Sequence, residues 1–294
     1  MLSIRSERQN GFLAAAAAVM VACLASPAAA QAPVDPNPGK ITLTGGIDFA
    51  SAYMFRGLRQ DDTGVIMWPF GDVGIAVYEG AGGVKSVSAN IGTWNSLHTG
   101  NTGLDGLSGE LWYESDFYTT LSLGFDYGMT LGATYTAYTS PNNSFSTVKE
   151  IAFKLAVDDS DAPAGVVFKP YALMAFELAT SPGLGQADGG QNAGRYLELG
   201  VAPGVQTTVA SVAFPIKLGL SLGDYYELRP GVDRTFGYFS VAATAAVPLG
   251  GTTSYGAWNV HAGVEFQSLG DTPEAFNGGD QSKVVASIGV GLSY

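Results

Sequence analysis

The sequence predicts an all-β chain that crosses a membrane as a transmembrane antiparallel up-and-down β-barrel of about 12 strands. Three observations lead there. Only 14% of the 294 residues are charged although 46% are apolar, whereas an ordinary soluble domain carries roughly 25% charge. Apolar and polar residues alternate over stretches long enough for a tilted strand to cross a bilayer, about 9–11 residues. Charges within these stretches gather on one of the two alternating faces.

The N-terminal thirty residues read as a cleaved secretory signal. Arg5 and Arg8 precede an apolar run over 11–25, and Ala28, Ala29 and Ala30 supply small residues before Gln31. A retained membrane helix needs about 20 apolar residues, and this run stops at Ser26-Pro27. A lipoprotein signal, with Met20-Val21-Ala22 before Cys23, is the weaker alternative. Residues 31–40, with Pro33, Pro36 and Pro38, form a Pro-rich leader, and 41–294 form the barrel. Export places the chain beyond the inner membrane, in the bacterial outer membrane. Cys23 is the one cysteine, so a disulfide framework and a cysteine metal site are excluded. A formal charge of −12 with scattered lysines and arginines argues against nucleic acid as a partner. No cofactor or metal motif stands out, and the Asp158-Asp159-Ser160-Asp161 turn lacks the glycine of a calcium loop.

Twelve alternating segments follow, near 41–56, 65–78, 86–95, 108–123, 126–138, 147–158, 165–179, 195–208, 213–223, 235–247, 256–267 and 282–294. In the first, one row is Ile41, Leu43, Ile47, Phe49, Tyr53 and Phe55, and the other holds Thr42, Thr44, Asp48 and Arg56. The fourth sets Tyr113, Ser115 and Phe117 against Glu110, Trp112, Glu114 and Asp116; the last sets Ile288 and Val290 against Ser287 and Gly289. A β-sandwich also alternates, but its outer rows are rich in Lys, Glu and Thr. Here the second rows are mostly Gly, Ala, Ser and Thr, which suit a crowded barrel interior. Connections after odd segments are longer on average than those after even ones, as in bacterial barrels. Pro69, Pro170, Pro203 and Pro215 fall in or beside strands and each forfeits a ladder hydrogen bond; a bulge is expected at Pro69-Phe70-Gly71.

Ser51-Ala52-Tyr53-Met54-Phe55-Arg56-Gly57-Leu58-Arg59-Gln60 resembles the first-strand signature of the TorF-type porins of Gram-negative outer membranes. Gly92-Thr93-Trp94-Asn95, Glu114-Ser115-Asp116-Phe117-Tyr118 and Tyr135-Thr136-Ala137-Tyr138 are similar in order. Leu58-Arg59 departs from the Ile-Ser more usual there. The resemblance implies an outer-membrane barrel more firmly than it implies transport. The C-terminal Val290-Gly291-Leu292-Ser293-Tyr294 is similar to the last strand that the outer-membrane assembly machinery reads, which makes that machinery and outer-membrane lipid the expected partners.

Candidate pore-lining or selectivity residues are the inward charges Asp48, Arg56, Glu110, Glu114, Asp116, Glu150, Lys154, Lys169, Glu177, Glu198, Lys217 and Glu265. Arg56 is read as bracing the wall or forming part of a constriction. Glu110, Glu114 and Asp116 form the densest cluster. With Asp72 and Asp126, the interior set has ten acids against four bases, which predicts a mild preference for cations if the barrel conducts. Tyr53, Phe55, Trp68, Phe70, Tyr78, Trp94, Trp112, Tyr113 and Trp258 are assigned to interfacial girdles. His98, in a loop with Asp105, and His261, in one row with Glu265, form no catalytic dyad, so no enzyme is expected. The expected function is a porin passing small hydrophilic solutes or ions. The alternatives are a non-conducting barrel with structural or surface-binding work and a soluble periplasmic β-protein.

Overall fold

The computed structural model describes residues 39–100, 110–160, 167–178, 192–207, 209–250 and 255–294. The signal and most of the leader lie outside them, as does Asp105. Strands dominate: β1 (Ile41–Ala50), β2 (Tyr53–Phe55), β3 (Leu58–Asp61), β4 (Ile66–Glu79), β5 (Ser86–His98), β6 (Trp112–Gly124), β7 (Met129–Thr139) and β8 (Val148–Val157) fill the first half. The second half holds β9 (Tyr171–Glu177), β10 (Arg195–Val201), β11 (Gly204–Gln206), β12 (Ser211–Ala213), β13 (Ile216–Gly223), β14 (Phe236–Pro248), β15 (Ala257–Leu269) and β16 (Ser282–Ser293). Among the described residues no helix is long and apolar enough to span a membrane.

Twelve of these strands are staves of one closed antiparallel ring. Each pairs with its neighbour from β4 through β10, β10 pairs with β13, and β13, β14, β15, β16, β1 and β4 complete the circle. The seam between first and last staves sets Ile47 opposite Val290 and Phe49 opposite Ile288. It extends one residue past β16, where Leu43 and Tyr294 exchange backbone hydrogen bonds of 2.6 and 2.7 Å. A closed ring leaves no edge strand with unsatisfied backbone groups, the condition for a sheet to sit in hydrocarbon.

Sidedness follows the alternation. Ile91 is 68% exposed and Phe117 61% on the outer face, with Leu121, Phe153 and Leu155 also exposed there. This apolar skin, with polar rows inside, is the pattern of a transmembrane barrel and the reverse of the sandwich alternative. Inward glycines let polar side chains meet across a stave. Gly289 lies between Asp48 on β1 and His261 on β15, whose Oδ1 and Nε2 are 2.5 Å apart. A Cβ at 289 would overlap both groups and sit 2.8 Å from the Ile47 carbonyl. Gly289→Ala is expected to lower stability by about 1–3 kcal/mol, read as an earlier midpoint in heat-dependent gel shift.

The proline expectations divide. Pro203 separates β10 from β11 and Pro215 separates β12 from β13, so each interrupts a stave, while Pro170 sits just ahead of β9. Pro69 makes no bulge: the β4–β5 register runs unshifted from Met67↔Leu97 to Phe70↔Trp94, and the shift falls between Ala76 and Tyr78 instead. The proline's missing N–H is accommodated by skipping ladder bonds rather than by adding a residue.

The first segment departs most from expectation. The stave ends at Ala50 and not at Arg56, and the chain then turns into the ring as the separate hairpin β2–β3.

Candidate functional site

The hairpin is the centre of the interior. Its two-residue turn is Arg56-Gly57, with φ of 48° and 84°, the left-handed pair that a tight hairpin requires. Glycine meets this freely, but a non-glycine residue in that region costs about 1–3 kcal/mol and persists where surrounding structure enforces it.

Here the enforcement is the Arg56 side chain. Its Nη1 and Nη2 donate to Glu150 Oε2 and Oε1 at 2.6 and 2.9 Å. Nη1 also donates to the Tyr225 hydroxyl at 3.0 Å, and the Tyr226 hydroxyl donates to the Arg56 carbonyl at 2.9 Å. The guanidinium carbon lies 4.2 Å from the Tyr196 ring centre. Arg56 and Glu150 side chains are 11% and 3% exposed, so this is a buried, two-pronged ion pair. Burial works against the charge, and the paired Glu150 carboxylate compensates it.

Two apolar clusters wedge the hairpin in place. On one side Tyr53 packs with Ala50, Ile66 and Tyr113, against Phe55, Trp68, Trp94 and Phe145. On the other, Leu58 packs with Ala175, Tyr196, Tyr225, Tyr226, Tyr238 and Leu269. The girdle assignment is therefore corrected for Tyr53, Phe55, Trp68, Trp94 and Tyr113, which fill the lumen at the long-connection end. Tyr78, Trp112 and Trp258 are exposed. Trp112 and Tyr113 have exchanged faces because β6 carries an extra residue there: Leu97 opposes Trp112 and Ser96 opposes Glu114, and such a bulge inverts the alternation.

Polar ties complete the seating. Lys283 on β16 donates to Asp62 at 2.7 Å, Arg59 pairs with Asp280 at 2.8 Å, and Asn277 Nδ2 donates to the Gly57 carbonyl at 2.8 Å. His98 is corrected from a loop residue to the last residue of β5. It is stacked on Tyr113 at 4.5 Å, its Nε2 lies 2.6 Å from Ser96 Oγ, and its Nδ1 lies 3.2 Å from Asp61 Oδ2. This Ser–His–Asp row has the order of a hydrolase triad, but Ser96 and His98 are 0% and 1% exposed. Ser96 Oγ also accepts the Trp68 indole N–H at 3.0 Å. Buried and bonded in this way, the row ties the hairpin to the wall. The Ser-x-His spacing was visible in sequence; Asp61 as its third member was not.

The remaining candidates divide by position. Glu114 and Asp116 are buried under Tyr53, which hydrogen-bonds Glu114. Glu110 precedes β6 in an exposed turn, so the three-carboxylate cluster is a pair. Lys169 also lies off the staves, before β9, at φ 45° and 3.6 Å from Asp158 in the short-turn set. Asp126 falls in a 3₁₀ turn. Glu177 is buried opposite Glu150 and accepts the Gly194 N–H at 2.7 Å. Glu198 accepts hydroxyls from Tyr171, Tyr196 and Tyr238 at 2.7–2.8 Å. Lys154 is exposed, with Nζ 4.3 Å from the Tyr171 ring centre, and Lys217 pairs with Glu265 at 3.7 Å. Asp48 is held by His261, a partner the spacing of His261 and Glu265 did not suggest. Tyr225 and Tyr226, the missed anchors, were visible only as a tyrosine pair between segments.

No family model matches the chain, and no curated protein is similar to it. Solved structures include a COG4313 outer membrane channel from Pseudomonas putida F1, 10% identical over 92% of this chain and 99% of that one, at a TM-score of 0.49. A NanC porin is 13% identical over 86% and 98%, at 0.40. Outer membrane phospholipase A from Escherichia coli is 10% identical over 88% and 93%, at 0.43. Likeness this distant carries nothing about what the present chain binds or passes.

Proposed function

We propose that the protein is an outer-membrane pore for small hydrophilic solutes or ions, with mild cation preference, narrowed at its outer end by the β2–β3 hairpin. The TorF-type resemblance, carried by the residues that form this hairpin, belongs to the same proposal, as do export by the signal and insertion through the C-terminal strand. The observation that carries the reading is the contrast between the two ends of the lumen. The hairpin and its tyrosines occupy one end, whereas at the other Thr42, Thr44 and Lys154 point inward and are still exposed. Water therefore fills the barrel up to the hairpin, and the wetted part is lined by both charges. Setting aside Glu110, Asp126 and Lys169, which lie off the staves, and the buried Arg56, Glu114, Asp116, Glu150 and Glu177, the sequence-derived interior set keeps four acids against two bases, and a low-dielectric wall amplifies such a field.

Single-channel recording in planar bilayers tests this. The expected result is small conductance steps with a cation-selective reversal potential. Selectivity is expected to fall in Glu265→Gln with Asp72→Asn and to hold in Glu114→Gln with Asp116→Asn, because the latter pair is shielded from the water path. Folded protein that gives no steps and no solute uptake in liposomes would favour the second reading, a closed barrel, for which the seating of the hairpin on almost every stave is the specific support.

A further inference from the structure

Beneath the hairpin lies a chamber of about 240 Å³, roofed by Phe55 and Arg56 and walled by β10, β13, β14 and β15. Most polar groups around it are engaged, Glu198 by its three tyrosines and Arg56 by Glu150. A short row is not. Register places Lys217, Ser240 and Gln267 side by side on three adjacent staves. Gln267 is 4% exposed and Ser240 1%, yet Gln267 Oε1 and Ser240 Oγ have no hydrogen-bond partner among the described residues. Lys217 Nζ lies 3.7 Å from Glu265 Oε1, too far for a hydrogen bond, and that oxygen has no other partner among the described residues. A buried polar atom left without a partner costs free energy and asks for an explanation.

We propose that this chamber binds one neutral polyhydroxylated solute of monosaccharide size; the inference rests on the pore reading and names a solute class for it. Hydroxyl groups both donate and accept, so one ring of them can serve Gln267 Oε1, Glu265 Oε1 and Lys217 Nζ at once. The Lys217–Glu265 pair is formally neutral, so a charged solute would leave one member uncompensated and a zwitterion would have to part them. Tyr238 and Phe55 supply apolar surface for the C–H face of the ring. The volume is below the ~300–1,000 Å³ of pockets for drug-sized ligands, which limits the occupant to a single ring.

Isothermal calorimetry on the full chain folded in detergent, with D-glucose and L-alanine as separate probes, tests the proposal. Glucose is expected to bind saturably and alanine not to bind. Gln267→Leu is expected to weaken glucose roughly tenfold, the worth of one hydrogen bond, while its unfolding midpoint holds or rises because a buried orphan acceptor is removed. Lys217→Met, on a different stave, is expected to weaken binding comparably. Absence of glucose binding, affinity in both variants unchanged from that of the parent protein, or binding of alanine in its place overturns the proposal. Calorimetry needs no ion flow: glucose binding without conductance would sink the pore and leave the site, and conductance without binding would do the reverse.

Discussion

Arg56→Ala is expected to loosen the hairpin, enlarge the single-channel conductance and destabilise the barrel. The substitution removes one member of a buried two-pronged pair and leaves Glu150 at 3% side-chain exposure without its counter-charge. Breaking such a pair costs about 3–5 kcal/mol, mostly the penalty on the stranded charge. Some of that returns if the left-handed strain at position 56 relaxes, although alanine suits that region no better than arginine. The double variant Arg56→Ala with Glu150→Ala is therefore expected to unfold later than the single one, since it strands nothing. Arg56→Lys keeps the charge but loses the planar fork and is expected to fall between. Heat-dependent gel shift reads the stability and planar bilayers the current. Conductance unchanged in Arg56→Ala, with the protein folded, would show that the hairpin does not govern the path.

Ile91→Arg is expected to cost about 2–4 kcal/mol, the penalty for arginine facing lipid near the bilayer midplane. Ile91 lies near the middle of β5 and is 68% exposed. Ser88→Arg, on the same stave with opposite parity, is the control and is expected to be tolerated, because its side chain enters the wetted lumen. Folding yield into lipid vesicles and the unfolding midpoint both report the difference. Equal penalties for the two would deny that hydrocarbon covers the outer face, and the transmembrane reading would fail with it.

The barrel was legible because lipid on one side and water on the other impose a period of two that a single chain displays without help. Ile91, Phe117 and Phe153 against Asp48, Glu150 and Lys154 are readable from alternation alone. The interior was not legible to the same degree. Ser51–Gln60 was singled out, but continuing the alternation past Ala50 assigned Tyr53 and Phe55 to lipid, since periodicity carries no sign that a strand has ended and turned inward. A bulge is equally silent: one added residue at Tyr113 exchanged it with Trp112. Glu150 was named as a candidate, yet its partnership with Arg56 joins positions 94 apart, and nothing local encodes it. The same is true of Asp48 with His261 and of the three tyrosines on Glu198.

The hairpin also constrains the order in which the molecule can be built. It follows β1 directly, but its resting places lie on almost every stave, among them β8, β10, β14, β15 and β16, which come much later in the chain. Until β8 through β14 are in place, Arg56 lacks its full socket and Leu58 its tyrosine wall. The interior therefore acts as an internal gauge of completeness: a sheet with a stave missing or slipped would carry a homeless cation and an idle carboxylate, and would be marked by that imbalance as unfinished.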